Sequence, residues 1–255
     1  MMDLRKALKE RQLTVGSWIQ TGSPVAAEIM AATGYDWIAV DCEHSEIGLE
    51  MTASLFRALA AYDTLPLVRV RENDTLAIRQ ALDLGARGVI VPLVNNAEQA
   101  RRAVASAKYP PEGVRGFGYC RMNEWGRQFD DYAAKANEEI AVIVMIESKE
   151  AVENIDEILS VPGVDGVFIG PYDMSSTYGL TGQTEHPVIL DACKRVGEAC
   201  ARHGVSAGWH IVLPTEEKLR TARDFGFNLL ALGADIVFLR SGADAAFDSL
   251  NTVYR

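Results

Sequence analysis

Asp41, Glu43 and His44 fall within four residues of one another, directly after the apolar run Trp37-Ile38-Ala39-Val40. A run of that kind is what a strand buried on both faces requires. Ionisable side chains crowded at the end of such a strand are costly unless they are paired or working, although a solvated acidic loop has the same composition. Glu147 and Asp173 share the setting, since each follows its own hydrophobic run, AVIVMI and GVFI. Two carboxylates facing one mouth repel unless a cation lies between them or one is protonated. Oxygen ligands without cysteine favour a hard divalent ion, Mg2+ or Mn2+, over zinc, with Co2+ a further candidate. A cap on the helix that follows is the alternative use of Asp173. Arg69 and Arg71 end the run PLVRV, and Gly170, Pro171 and Tyr172 lead into Asp173. Trp18 and the pair Trp209 and His210 complete the set. The tryptophans read as pocket wall or core, and His210 as either pocket lining or a structural histidine.

These residues need a scaffold that brings many strand ends together. Short β-branched runs at 14–19, 37–40, 67–70, 88–93, 140–146, 166–169, 205–209 and 229–232 read as strands. Apolar residues recur at helical spacing over 49–62, 75–84, 97–107, 149–159 and 187–203. Eight strands each followed by a helix predict an α/β fold, a closed (β/α)8 TIM barrel of parallel strands. In such barrels the chemistry sits at the C-terminal strand ends, which is where the ionisable residues fall. A doubly wound open sheet is the competitor, but no GxGxxG turn follows the first strand. The nearest phrase, Arg115-Gly116-Phe117-Gly118, lies in a loop. No linker or low-complexity tract divides the chain, so residues 1–255 read as one barrel domain. The connection 108–126 is unusually long. Such loops are usually functional or mobile, so Arg115 either closes over a substrate or belongs to a packed surface loop.

The formal net charge of −10 excludes a basic tract for nucleic acid or an anionic membrane. An anionic small substrate must therefore be held by local arginines. No apolar run reaches the ~18 residues of a membrane helix. The start, MMDLRKALKERQ, is charged and amphipathic, unlike a secretory signal. Cysteines at 42, 120, 193 and 200 form no CxxC pair, and a reduced cytoplasmic setting is expected. Cys193 and Cys200, seven apart on one predicted helix, read as core packing. The last segment, 235–255, carries enough apolar residues to pack on a neighbouring subunit.

The phrases GSWIQTGSP, YDWIAVDCEHSEIG, LVRV, ALDLGARGVIVP, RGFGY, VMIES, GVFIGPYDMS and GADIVFLR occur in order along nearly the whole chain. Through them it resembles the class II, metal-dependent 2-oxo acid aldolases of the HpcH/HpaI family. The resemblance implies a barrel whose terminal helix is exchanged with a neighbour, commonly in a hexamer built as a trimer of dimers. It implies that Glu147 and Asp173 hold the divalent metal and that His44 is the base. It makes Arg69 the group that stabilises developing negative charge, and Asp83 the acid that raises the basicity of the histidine. The strand ends by themselves point to Asp41 for that last role, so both acids are carried. Trp18, Met145, Gly170, Pro171, Tyr172 and Asp173 are the expected substrate contacts. Position 145 departs from the family, whose fifth strand often carries a glutamine there.

The implied reaction is reversible aldol cleavage of a 4-hydroxy-2-oxo acid to pyruvate, or a close 2-oxo acid, and an aldehyde. His44, directly or through a water, takes the 4-hydroxyl proton. No strand end offers a lysine for a Schiff base, which counts against that route. Glycoside hydrolysis by paired carboxylates leaves His44 and Arg69 without work. Two other readings remain. A related carbon–carbon lyase or citrate-forming condensing enzyme could use the same site, but the chain lacks an obvious basic groove for coenzyme A. A non-catalytic 2-oxo acid sensor has no use for a base.

Overall fold

The computed structural model describes residues 2–254. After a short helix α1 (Leu4–Lys9), strands and helices alternate. β1 (Thr14–Ile19) leads to α2 (Pro24–Ala32), and β2 (Trp37–Asp41) to α3 (Leu49–Leu59). β3 (Leu65–Arg69) leads to α4 (Thr75–Leu84), and β4 (Gly88–Val91) to α5 (Ala97–Ala107). A 3-10 turn (Arg121–Gly126) and α6 (Phe129–Glu139) precede β5 (Ala141–Ile146), which is followed by α7 (Lys149–Glu153) and α8 (Ile155–Leu159). β6 (Gly166–Ile169) is followed by α9 (Pro171–Thr177) and α10 (Pro187–His203). β7 (Ser206–Ile211) leads to α11 (Glu216–Asp224), and β8 (Leu229–Ala234) to α12 (Asp235–Tyr254). The eight strands pair in sequence order, all parallel, and β8 closes on β1. This is the (β/α)8 barrel the sequence predicts.

Successive side chains of a strand point to opposite faces, so each strand feeds two different cores. Ile38 and Val40 of β2, and Val142, Val144 and Ile146 of β5, pack outward beneath the helices. Trp37 and Ala39, Leu65 and Leu67, Ile90, Ala141, Ile143 and Met145, Phe168, Leu229 and Ala231 fill the barrel interior, with Leu4 and Leu8 of α1 joining the same cluster. Trp37 fills so much of the barrel that a Cβ on Gly16 would come within 2.1 Å of its ring. The inward parity continues one step further along each strand, to Trp18, Asp41, Arg69, Glu147, Gly170 and His210. The site is thus the top layer of the barrel interior, where the packing changes from apolar to ionisable.

The predicted helices 75–84, 97–107 and 187–203 match α4, α5 and α10, whose starts are capped by Asp74, Asn96 and His186. The predicted helix 149–159 is broken in two at Asn154, whose side chain donates to the Asn95 carbonyl at 2.9 Å and pins the segment to the loop after β4. Strand ends shift by up to two residues from expectation. Cys193 and Cys200 are buried in α10, where burial pushes both thiols up to about 12. None of the four cysteines is in a disulfide.

The long connection before β5 is a packed loop and does not reach over the strand ends. Arg115 is buried, its Nη2 donates to Asp83 Oδ1 at 2.7 Å, and its guanidinium lies 4.5 Å from the Tyr109 ring centroid. α12 behaves in the opposite way. Only Asp235 of its residues is buried, tied through Oδ1 to the Gln20 amide at 2.8 Å. Leu239, Phe247, Leu250, Val253 and Tyr254 are exposed along a helix of 20 residues, about 30 Å long. Arg255 lies outside the described residues. No helix is long and apolar enough to cross a membrane among the described residues.

Candidate active site

Asp41 ends β2 in the interior of the barrel, fully buried, and Arg69 ends the paired strand β3 opposite it. The pair is bidentate, with Arg69 Nε donating to Oδ1 at 2.9 Å and Nη2 to Oδ2 at 2.5 Å. Gln20 Nε2 donates to Oδ2 at 2.6 Å, and the amides of Glu43 and His44 donate to Oδ1 at 3.1 Å each. Burial works to raise the Asp41 carboxyl, but these donors outweigh it and hold it below its ordinary value. Its lone pairs are filled, so Asp41 positions Arg69 and the turn bearing His44. The guanidinium lies 4.7 Å from the Trp18 ring centroid, and its Nη1 is 4.0 Å from Met145 Sδ.

Glu147 follows β5 and is buried, with Oε1 accepting the Leu93 amide at 2.7 Å. Leu93 holds a positive φ of 56°, a conformation costly for a branched side chain, and it is this backbone that aims its amide at the carboxylate. Gly170, at the end of β6, makes room for the acid. A Cβ there would lie 2.8 Å from Glu147 Cβ and 3.0 Å from Oε2. Burial, together with the charges of Glu43 and Asp173, pushes the Glu147 carboxyl up to about 7 against the Leu93 hydrogen bond and Arg69. Asp173 sits in the first turn of α9, with Pro171 at the helix start and no capping side chain.

His44 is solvent-facing, its side chain 59% exposed, and its Nε2 is 3.6 Å from Glu43 Oε2. That oxygen is buried, makes no hydrogen bond, and lies 3.4 Å from Arg69 Nε. Burial raises the Glu43 carboxyl, and Asp41 and Asp173 add to the effect against Arg69. Glu43 is therefore the acid beside His44. Within the chain, the two acids carried for that role from the sequence meet other partners. Asp41 meets the His44 backbone, and Asp83, on α4, bonds Arg115.

A cavity of about 540 Å³ opens over these strand ends. Trp18, His44, Arg69, Met145, Gly170, Pro171, Tyr172 and Asp173, all expected from the sequence, line it. So does His210, whose neutral ring is favoured by burial, which lowers its pKa to about 4. Its outer arm carries Leu190, Val212 and Leu213 beside Glu185 and Lys218, an ion pair at 3.6 Å. Sequence reasoning left this arm out, because its residues come from loops and helices that no strand-end pattern marks. Glu43 was visible in the sequence but had no role assigned.

Among the described residues no group of three or more His, Cys, Asp and Glu side chains is arranged to hold a metal ion. The residues present nevertheless fit a hard divalent cation. Glu147 and Asp173 are mutually repelling acids beside a third, Glu43, whose charge adds to theirs. An ion of the Mg2+ type typically takes one or two carboxylates and completes its shell with water and substrate.

The chain matches the family described as HpcH/HpaI aldolase/citrate lyase over residues 14–241. It is 38% identical over 240 residues to a hydroxypyruvate/pyruvate aldolase of Chromohalobacter salexigens, covering 93% of each chain. It is 37% identical over 243 residues to a 4-hydroxy-2-oxo-heptane-1,7-dioate aldolase of Escherichia coli, covering 94% of this chain and 92% of the relative. The fold superposes on the crystal structure of an HpcH/HpaI aldolase/citrate lyase family protein from Burkholderia cenocepacia with a TM-score of 0.93 at 32% identity, covering 98% of this chain and 100% of the other. Aldolases of this group generally depend on a divalent metal, in keeping with the acid pair at the barrel mouth. The barrel, its charged upper layer and these likenesses agree, and the chain belongs to the HpcH/HpaI aldolase/citrate lyase family.

Proposed function

We infer that the protein is a class II pyruvate aldolase, a carbon–carbon lyase that cleaves a 4-hydroxy-2-oxo acid to pyruvate or a close 2-oxo acid and an aldehyde. The observation that carries this reading is the combination, at one barrel mouth, of two mutually repelling acids, Glu147 and Asp173, and an arginine held rigid by a saturated aspartate. Glu147 and Asp173 hold the divalent ion, Mg2+ or Mn2+ with Co2+ a third candidate. Such an ion supplies Lewis-acid polarisation of the 2-oxo group.

The amides of Tyr172 and Asp173, uncapped at the start of α9, receive the substrate carboxylate. His44 takes the proton from the 4-hydroxyl, with Glu43 beside it to stabilise the imidazolium that results. The C3–C4 bond then breaks, and its electron pair moves toward the 2-oxo oxygen. Arg69 keeps donors beyond the two spent on Asp41, and they meet the charge that develops there. Its position is fixed before the reaction, so no reorganisation is needed in the transition state. Trp18 and Met145 wall the site.

The exposed apolar length of α12 supports a homo-oligomer in which this helix packs on a neighbouring subunit, and the family resemblance points to a hexamer arranged as a trimer of dimers. Residues 1–255 act as a single catalytic unit.

Pyruvate release from a 4-hydroxy-2-oxo acid, measured with Mg2+, with Mn2+ and with chelator, tests the reading. Activity is expected with either ion and is abolished by chelator. His44→Ala is expected to lower kcat by roughly two to four powers of ten with the fold retained by circular dichroism. Unchanged turnover in that variant would remove His44 as the base.

A further inference from the structure

The cavity floor beside Arg69 is apolar at Met145 and Phe168, yet one wall carries a polar group with no part in the cleavage. His210 ends the inward row of β7. Its Nε2 lies 2.9 Å from the Gly233 carbonyl oxygen, which can only accept, so Nε2 carries the proton. Burial keeps the ring neutral, with its pKa lowered to about 4. A neutral imidazole with Nε2–H bound leaves Nδ1 as an acceptor. The ring leans on Trp18, centroids 5.7 Å apart at 53°, and Trp18 carries the Arg69 guanidinium at 4.7 Å.

We propose that His210 is a specificity determinant that selects a 2-oxo acid bearing a hydroxyl on C3, the carbon joined to the aldehyde, by accepting a hydrogen bond from that hydroxyl at Nδ1. The assignment rests on the aldolase reading above. The 2-oxo acid side is favoured over the aldehyde side by position. His210 and Trp18 flank Arg69, the group set where charge develops on the 2-oxo acid. The aldehyde has the outer arm at Leu190, Val212 and Leu213. A methyl group at C3 leaves Nδ1 without a donor, whereas a hydroxyl satisfies it. Sites built to bond a hydroxyl discriminate strongly against analogues that lack it.

The test compares hydroxypyruvate and pyruvate as donors with one common aldehyde and Mg2+. The wild-type ratio of kcat/KM values is expected to favour hydroxypyruvate. His210→Leu is expected to lower that ratio about tenfold, while His210→Asn, which places an amide oxygen near the Nδ1 position, restores part of it. In protein carrying 15N-histidine, the Nδ1 resonance assigned by the His210 variants is expected to shift on adding hydroxypyruvate and to stay still with pyruvate. An unchanged ratio in His210→Leu overturns the proposal, as does a hydroxyl preference confined to the aldehyde. Absence of aldol product from both donors with every divalent ion overturns the aldolase reading itself, and so is told apart from a loss of selectivity alone.

Discussion

Asp41 and Glu147 occupy equivalent places, each a buried carboxylate at the inward C-terminal end of a barrel strand, yet the fold treats them in opposite ways. Asp41 receives its countercharge from the chain, a bidentate arginine with an amide side chain and two backbone amides around it. Glu147 receives one amide and two like charges, with Arg69 acting on it only through space, and its carboxyl is raised where that of Asp41 is lowered. The first arrangement is complete in the folded protein. The second leaves a buried acid beside two like charges that Arg69 only partly offsets. Their contrast separates a group that positions from a group that binds, although the two residue types are equivalent in sequence.

The strongest way to break the comparison is to remove the acid that sits among like charges. Glu147→Gln keeps the shape and the Leu93 hydrogen bond but loses the charge, so turnover is expected to fall on the order of 10³-fold or more. Mn2+ titration followed by electron paramagnetic resonance should show loss of the tight site. Retained Mn2+ binding would contradict Glu147 as a ligand. Breaking the complete arrangement has a different signature. Arg69→Ala strands the fully buried Asp41 charge, which costs about 3–5 kcal/mol of stability, and lowers turnover by roughly 10²- to 10³-fold. Denaturant unfolding would register that stability loss, whereas Glu147→Gln should show none. Arg69→Lys should recover little, because an ammonium cannot reproduce the two-pronged contact.

The two acids also predict pH dependences of opposite direction in metal-free protein. Asp41, held below its ordinary value of 3.8, contributes stability that is present above that value and lost as pH falls through the folded pKa. Glu147 rises from an ordinary 4.5 to about 7, so ionising it opposes folding. The penalty is absent below 4.5, grows between the two values, and reaches about 3 kcal/mol above 7. Unfolding measured in chelator from pH 5 to 8 should therefore show wild type losing stability relative to Glu147→Gln as pH rises. Saturating Mg2+ should close the gap. Parallel curves for the two proteins would show that burial does not strain this carboxylate.

The barrel was legible because its evidence is periodic. Buried parallel strands write themselves as short apolar runs, and the period-2 parity that fills the interior also dictates which terminal residue enters the site. Arg69 and Glu147 followed from that rule, and Asp173 from its place just beyond the apolar run of β6. Asp83 and Arg115 did not, because their partnership is a contact across 32 residues between a helix end and a loop, with no local pattern to announce it. Nor did the difference between Asp41 and Glu147. Each ends an apolar run, and only the folded chain shows that Gln20, just past the end of the neighbouring β1, reaches one of them. Glu43 was overlooked for the same reason, since the neighbours that define its work come from β3 and α9.

Gln20 offers the finest adjustment of the contrast. Its side-chain amide is one of several donors to Asp41, so removing it leaves the arginine pair in place and the carboxylate still neutralised. Gln20→Leu should then cost about 1.5 kcal/mol, the low end for a hydrogen bond to a charged group because other donors remain, and turnover should stay within about threefold. A much larger loss of turnover with little loss of stability would mean that Gln20 sets the angle of Arg69 toward substrate. The countercharge would then be tuned as well as supplied, and the division between positioning and binding groups at this barrel mouth would have to be redrawn around the donor network as a whole.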